Sequence, residues 1–219
     1  MMRIKDIYKR ILWDPVERTQ MENVRSRIKN KNFTIICSNC CGGWIYHMLG
    51  MRFDSPTINI WIDKKEFCSF AADLHYYLSQ NLVFYEKEGR KCPCAYLGEG
   101  DRKISIDFVH YKTKEEALEK WEERKKRVHW DNLYIITCDG SGATSEDFEL
   151  LKFASCKRKV VFTAKEHPEI EDSFLLHTMR KEQTAAKMQI KRHPFTGLRS
   201  WEREFDYVAW LNDEPHFRF

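Results

Sequence analysis

Short β-branched and aromatic runs alternate with helix signals along most of the chain, and that alternation restricts the fold more than any other feature. The runs are residues 33–37 (FTIIC), 57–62 (TINIWI), 82–86 (LVFYE), 104–110 (ISIDFVH), 132–137 (NLYIIT) and 159–163 (KVVFT). Helix starts stand between them. Asp63 with Glu66, Thr113 with Glu116, and Thr144 with Asp147 each have the spacing of an N-cap, where a side-chain oxygen takes a free backbone N–H. Phe67, Phe70, Ala71, Leu74 and Leu78 follow the first cap at helical spacing. After Thr113, the pairs Glu116–Lys120, Glu122–Lys126 and Glu123–Arg127 have the favourable i,i+4 order, and Leu118, Trp121 and Val128 mark the buried stripe. Strands separated by helices predict an α/β fold, a single domain with a mainly parallel sheet flanked by helices. Ile35, Ile36, Ile106, Phe108, Ile135, Ile136, Val160 and Val161 are expected to share that sheet.

Residues 1–30 read as an N-terminal helical segment, 31–212 as the α/β domain and 213–219 as a tail. Ile4, Ile7 and Ile11 fall on one helical face, and that helix is expected to end near Pro15. A basic helix is expected over 179–192, stopped before Pro194. The aromatic residues Trp201, Phe205, Tyr207 and Trp210 read as core, with stacking on sugar rings as the alternative.

With 219 residues, 42% of them hydrophobic, the chain can bury a substantial core. The formal charge of +4 is too small an excess to point to nucleic acid, but it suits an anionic small ligand. No apolar run reaches the length of a membrane span, and the N-terminus lacks the pattern of a secretory signal. A cytoplasmic location is therefore expected, with the eight cysteines as reduced thiols. Cys37-x-x-Cys40 and Cys92-x-Cys94 stand too far apart to favour zinc, so no metal is expected.

In open α/β sheets, ligands bind outside the carboxyl ends of the strands. Four polar segments leave strand ends here: Ser38 to Gly43, His110-Tyr111-Lys112, Cys138 to Thr144, and Thr163 to His167. The first joins soft nucleophiles to permissive backbone. Amides near Gly42 and Gly43 at a helix start can hold phosphate or an oxyanion, and the same field would lower the pKa of Cys40 or Cys41. His47 or His110 is placed to act as a base. A tight strand-to-helix turn with small buried thiols explains the same residues without a ligand. In the other glycine loop, Asp139 has the chemistry to bind a sugar hydroxyl or a basic group, and Gly140 and Gly142 would let a phosphate approach. Walker, G-x-G-x-x-G, H-E-x-x-H and G-x-S-x-G signatures are absent.

Several segments together resemble a bacterial family of exopolysaccharide-biosynthesis proteins of otherwise unknown function. They are Asn39-Cys40-Cys41-Gly42-Gly43, Ser55-Pro56-Thr57, His110-Tyr111-Lys112 with its Glu/Lys-rich helix, and Trp130-Asp131-Asn132. The resemblance spans about residues 33–211; one departure is Ala143, where the family carries cysteine. It implies a role in surface-polysaccharide assembly without fixing a reaction; the leading expectation is a transferase taking a phosphate-bearing donor, a nucleotide-sugar or acyl-coenzyme A, and a glycan acceptor. Cys40, His110 and Asp139 would then surround the reacting group, with Asn39, Cys41, Gly42, Gly43, Tyr111, Lys112 and Thr144 as ligand contacts. The rival expectation is a non-catalytic module that binds glycan or an assembly partner.

Overall fold

The computed structural model describes residues 9–140 and 142–215. A π-helical turn at Lys9–Trp13 leads into α1 (Asp14–Arg27), β1 (Thr34–Cys37) and α2 (Cys41–Leu49). The chain then builds β2 (Trp61–Ile62), α3 (Lys64–Ala72), α4 (Leu74–Ser79), β3 (Val83–Tyr85), β4 (Cys94–Leu97) and β5 (Ile104–Asp107). It returns through α5 (Lys114–Lys125) to β6 (Leu133–Cys138), α6 (Ser145–Glu149), β7 (Arg158–Thr163), β8 (Ser173–Leu175) and α7 (Tyr207–Leu211).

The strands form two sheets. One is parallel throughout, in the order β1-β6-β7-β8; the other is antiparallel, in the order β2-β5-β4-β3. The α/β class and the parallel sheet agree with the sequence. The membership of 104–110 does not: Ile106 pairs with Ile62 and Ala95 in the antiparallel sheet, and Phe108 lies beyond the strand end. A period of two fixes which face a residue takes, but not which strand it joins.

The parallel sheet is the middle layer. Ile35, Tyr134, Ile136, Val160 and Phe162 face α1, α2 and the C-terminal segment. Ile36, Leu133, Ile135 and Val161 face α3, α6 and the antiparallel sheet. Both faces leave water, and a buried aliphatic side chain contributes about 1.5–3 kcal/mol by doing so. That is why these strands read as unbroken apolar runs.

β1 is an edge strand, and side chains seal it. Ile35 N–H donates to the Tyr46 hydroxyl (3.3 Å) and Cys37 N–H to Thr57 Oγ1 (3.0 Å). Ser55 Oγ in turn lies 3.0 Å from Thr57 Oγ1. The Ser-Pro-Thr segment therefore guards a sheet edge, and only residues 61–62 of the expected strand 57–62 are extended into a ladder.

Other boundaries move for local reasons. Pro15 begins α1 instead of ending a helix, because its missing N–H costs nothing in the first turn. Ile4 and Ile7 lie outside the described residues, and Ile11 is exposed. α1 gives Val24 to the main core. On α5, Trp121 is buried but Leu118 is largely exposed. The expected helix over 179–192 is replaced by two short 3-10 turns, His177–Glu182 and Ala185–Lys187. It is followed by a hairpin closed by a bridge between Arg192 and Arg199. None of the described helices is long and apolar enough to cross a membrane.

Candidate functional site

The carboxyl ends of β1, β6 and β7 lie side by side, as their parallel register requires. The loop after β1 is organised by Asn39. Its Oδ1 accepts the Cys41 N–H (2.8 Å) and the Cys37 thiol (3.4 Å), while Nδ2 points to Cys138 Sγ (3.7 Å). Asn39 thus ties β1 to β6 and holds the first N–H of α2, and Cys40 is left half-buried at the helix entrance.

His110 reaches Cys40 from the turn that follows β5 of the other sheet. Its Nε2 lies 3.6 Å from Cys40 Sγ on the exposed side. Either the thiol donates to Nε2 or Nε2–H donates to sulfur, according to the tautomer. The turn carrying His110 is fixed from beneath. The Tyr111 hydroxyl donates to the Ile58 carbonyl (2.9 Å) and accepts from Arg124 Nη1, which also donates to Ile58 O (3.2 Å). Tyr111 is buried with its hydroxyl engaged, so it positions the turn. Lys112 is exposed, and its backbone N–H donates to Glu116 Oε2 (3.0 Å).

The electrostatics differ from expectation. Burial and the neighbouring Cys37 push the Cys40 thiol above its ordinary 9.0, while Arg199 draws it back. Burial holds the Cys41 thiol well above that value, and Cys37 adds to the rise. Burial raises Cys37 too, but the Cys41 thiol and the N–H groups of Asn39 and Gly42 donate to it and bring it below. The favourable field of the helix start therefore falls on Cys37, a fully buried sulfur, and not on Cys40 or Cys41.

The glycines also serve another purpose. Gly42 and Gly43 are helical and lie in the first turn of α2. A Cβ at Gly42 would come within 3.3 Å of both Cys37 Cβ and Ile35 Cγ2, so this glycine lets the helix press on β1. At Gly43 the nearest atom would be 3.6 Å away, an ordinary contact. The N–H groups of Cys41 and Gly42 are already taken by Asn39 and Cys37, which removes two donors expected for a phosphate.

Asp139, at the end of β6, is buried and committed. Oδ2 accepts the Ala164 N–H (2.8 Å); Oδ1 accepts the Thr184 hydroxyl (2.9 Å) and the Ala185 N–H. Gly140, at φ +106°, lets Thr184 approach so closely that a Cβ would collide with it. Thr144 completes a capping box with Asp147 at the start of α6. Loops that were expected to receive a ligand are instead held together by their own polar groups. His47 is exposed, with its ring against Trp44 at 5.2 Å.

Two charged residues went unnoticed in the sequence. Lys64, the first residue of α3, is fully buried; its Nζ lies 3.8 Å over the Trp61 ring with no hydrogen-bond partner among the described residues. Its charge acts on the thiols of Cys37, Cys68 and Cys138. Arg199 is 9% exposed and stacks on Trp44, 3.3 Å from guanidinium carbon to ring centroid. Neither has a sequence signal beyond its charge, because burial gives each its significance.

The aromatic residues Trp201, Phe205, Tyr207 and Trp210 are buried in the core, so they offer no stacking surface to a sugar. A cavity of about 470 Å³ opens at the opposite, amino edge of the parallel sheet, between Lys157, Arg158, Lys159 and Asp172. Lys157 and Arg158 there pair with Asp213, and Lys159 with Glu171 and Asp172. It lacks a thiol–imidazole pair, so chemistry favours the carboxyl edge. Among the described residues, no group of three or more His, Cys, Asp or Glu side chains is arranged to hold a metal ion.

Residues 15–212 match the family model for a domain of unknown function, DUF1919. An uncharacterized protein of Haemophilus influenzae is 30% identical over 191 residues, covering 86% of this chain and 88% of the relative. The match takes in α1, both sheets and the loops that bring Cys40 to His110, and on that extent the chain belongs to the DUF1919 family.

Proposed function

We propose that the protein is a transferase of bacterial surface-polysaccharide biosynthesis that takes a phosphate-bearing donor, a nucleotide-sugar or acyl-coenzyme A, and a glycan hydroxyl as acceptor. The observation that carries this reading is the 3.6 Å contact between Cys40 Sγ and His110 Nε2 at the open carboxyl edge of the parallel sheet. His110 is exposed and held by a rigid turn, as a base that must meet a substrate requires. It takes the proton of the acceptor hydroxyl; the oxygen attacks the anomeric carbon or the thioester carbonyl; the nucleoside diphosphate or the coenzyme A thiolate departs. The raised thiol of Cys40 is mostly protonated near neutrality, so it orients the imidazole and becomes a nucleophile only after giving up its proton. Asp139 is excluded from the reacting group, because its oxygens are spent on Ala164, Thr184 and Ala185.

The test is a donor panel. A phosphate-bearing donor should raise the melting temperature, since it binds only the folded chain, and should support transfer to a glycan. His110→Gln should keep the thermal shift and lose transfer by about 10²–10⁴-fold, the usual worth of a general base. A shift from glycan alone, with none from any nucleotide-sugar or coenzyme A ester, would replace this reading with the binding module.

A further inference from the structure

A buried guanidinium needs acceptors, because removing charge from water is costly unless it is paired. Arg199 meets that condition only in part. It sits on the hairpin that follows Lys191, where Ser200 N–H donates to Lys191 O (3.0 Å) and His193 N–H to Leu198 O (2.9 Å). Trp44 supports one face of its guanidinium. Glu202 fixes the frame: Oε1 accepts from Trp44 Nε1 (2.7 Å) and Oε2 accepts the Arg199 backbone N–H (2.9 Å). The same carboxylate pairs with the guanidinium through charge and not through a hydrogen bond. Nη1 lies 3.6 Å from Oε2, beyond hydrogen-bond length, and Nε and Nη1 are both buried with no hydrogen-bond partner among the described residues. An aromatic face and an ion-paired carboxylate hold the cation in place, but the hydrogen-bonding capacity of Nε and Nη1 is left unmet among the described residues.

Its position connects it to the site. Trp44 follows Cys40 by one helical turn, its N–H donating to Cys40 O (3.1 Å), so residues 40 and 44 lie on the same helix face. Arg192, across the hairpin bridge, has its guanidinium carbon 5.8 Å from the same Trp44 ring and brings a second positive charge. The nearby carboxylates that act on Arg199 are Glu202 and, from α1, Glu17.

We infer that Arg199, backed by Arg192 and stacked on Trp44, is the anion-receiving residue of the Cys40–His110 site and takes a phosphate group of the ligand. This rests on the transferase reading and moves its phosphate contact from the α2 glycines to the C-terminal hairpin. Arginine suits the task because its charged planar donors match phosphate oxygens.

The test uses the full chain and calorimetric titration with inorganic pyrophosphate, uridine diphosphate, adenosine 3′,5′-bisphosphate and, as a carboxylate control, malonate. At least one phosphate compound should bind, and Arg199→Met should weaken it tenfold or more. Arg199→Lys, which keeps the charge over Trp44, guards against a folding artefact and should bind more weakly than the native chain. Tighter binding of uridine diphosphate or the bisphosphate than of pyrophosphate would identify a nucleotide source; equal binding would identify free phosphate chemistry, and either outcome supports the assignment. Unchanged phosphate affinity in both Arg199 variants, no phosphate binding at all, or malonate bound as tightly as pyrophosphate would overturn it. Phosphate binding that depends on Arg199 without any transfer would sink the transferase reading alone. Transfer with an unaltered donor KM in Arg199→Met would sink the inference alone.

Discussion

The loops after β1 and β6 leave neighbouring parallel strands at the same sheet edge, and both combine glycine with polar side chains, yet they are built for opposite ends. After β6, every oxygen that Asp139 offers is engaged by the chain itself, and Gly140 exists to let the 184–186 segment close over it. After β1, Asn39 is consumed in the same way, but Cys40 is left half-buried with a histidine from the turn after β5 beside it. Position at a carboxyl edge is thus not sufficient to make a site residue. Polar capacity left over after the fold has been satisfied distinguishes the two, and that criterion also singles out Arg199 and Lys64.

The largest effect that sharpens this contrast is expected at the closed loop. Asp139→Asn replaces an acceptor-only group by one that must present N–H to N–H, and should cost about 3 kcal/mol, the upper range for hydrogen bonds to a charged group. Urea unfolding reads this as a lower midpoint. A cost within 0.5 kcal/mol, about the size of an ordinary surface substitution, would mean that Asp139 is free for other work.

A smaller effect separates the two helix glycines of the open loop. Gly42→Ala should destabilise by about 1–3 kcal/mol, the usual penalty for overpacking, because its Cβ meets β1 at 3.3 Å. Gly43→Ala has room and lies in a helix, so it should be neutral or stabilise by up to about 1 kcal/mol. If both variants lost donor binding at unchanged stability, the glycine amides would be a phosphate cradle after all.

Much of this fold is legible in the sequence where burial is symmetrical. β1, β6 and β7 are apolar on both faces and stand out as continuous runs. β4 and β8 do not: one is short and follows Pro93 in a cysteine-rich segment, and the other is a three-residue edge strand. The candidate site is legible to the same degree. Cys40 and His110 follow from the strand-end rule, although β5 belongs to the second sheet. Gly42 is misleading because close helix packing and anion binding both favour the smallest residue. Arg199 is hidden because nothing in a hairpin of basic residues tells which one will be buried.

Alkylation of the native protein by iodoacetamide, mapped at each cysteine and followed against pH, tests most directly whether the open loop carries the reacting pair and the closed loop a clamp. The comparison needs native protein, His110→Ala and Asp139→Asn, at a temperature where all three are folded. Cys40 should be modified while Cys37, Cys41 and Cys138, all buried, are protected. Because its thiol is raised above 9.0, the thiolate fraction is small at neutral pH and the rate should climb steeply only as pH passes that value. His110→Ala should change the Cys40 profile, since it removes the partner 3.6 Å away, and Asp139→Asn should leave it unchanged. Cys40 protected until denaturation, or a profile moved by Asp139→Asn and untouched by His110→Ala, would contradict the account.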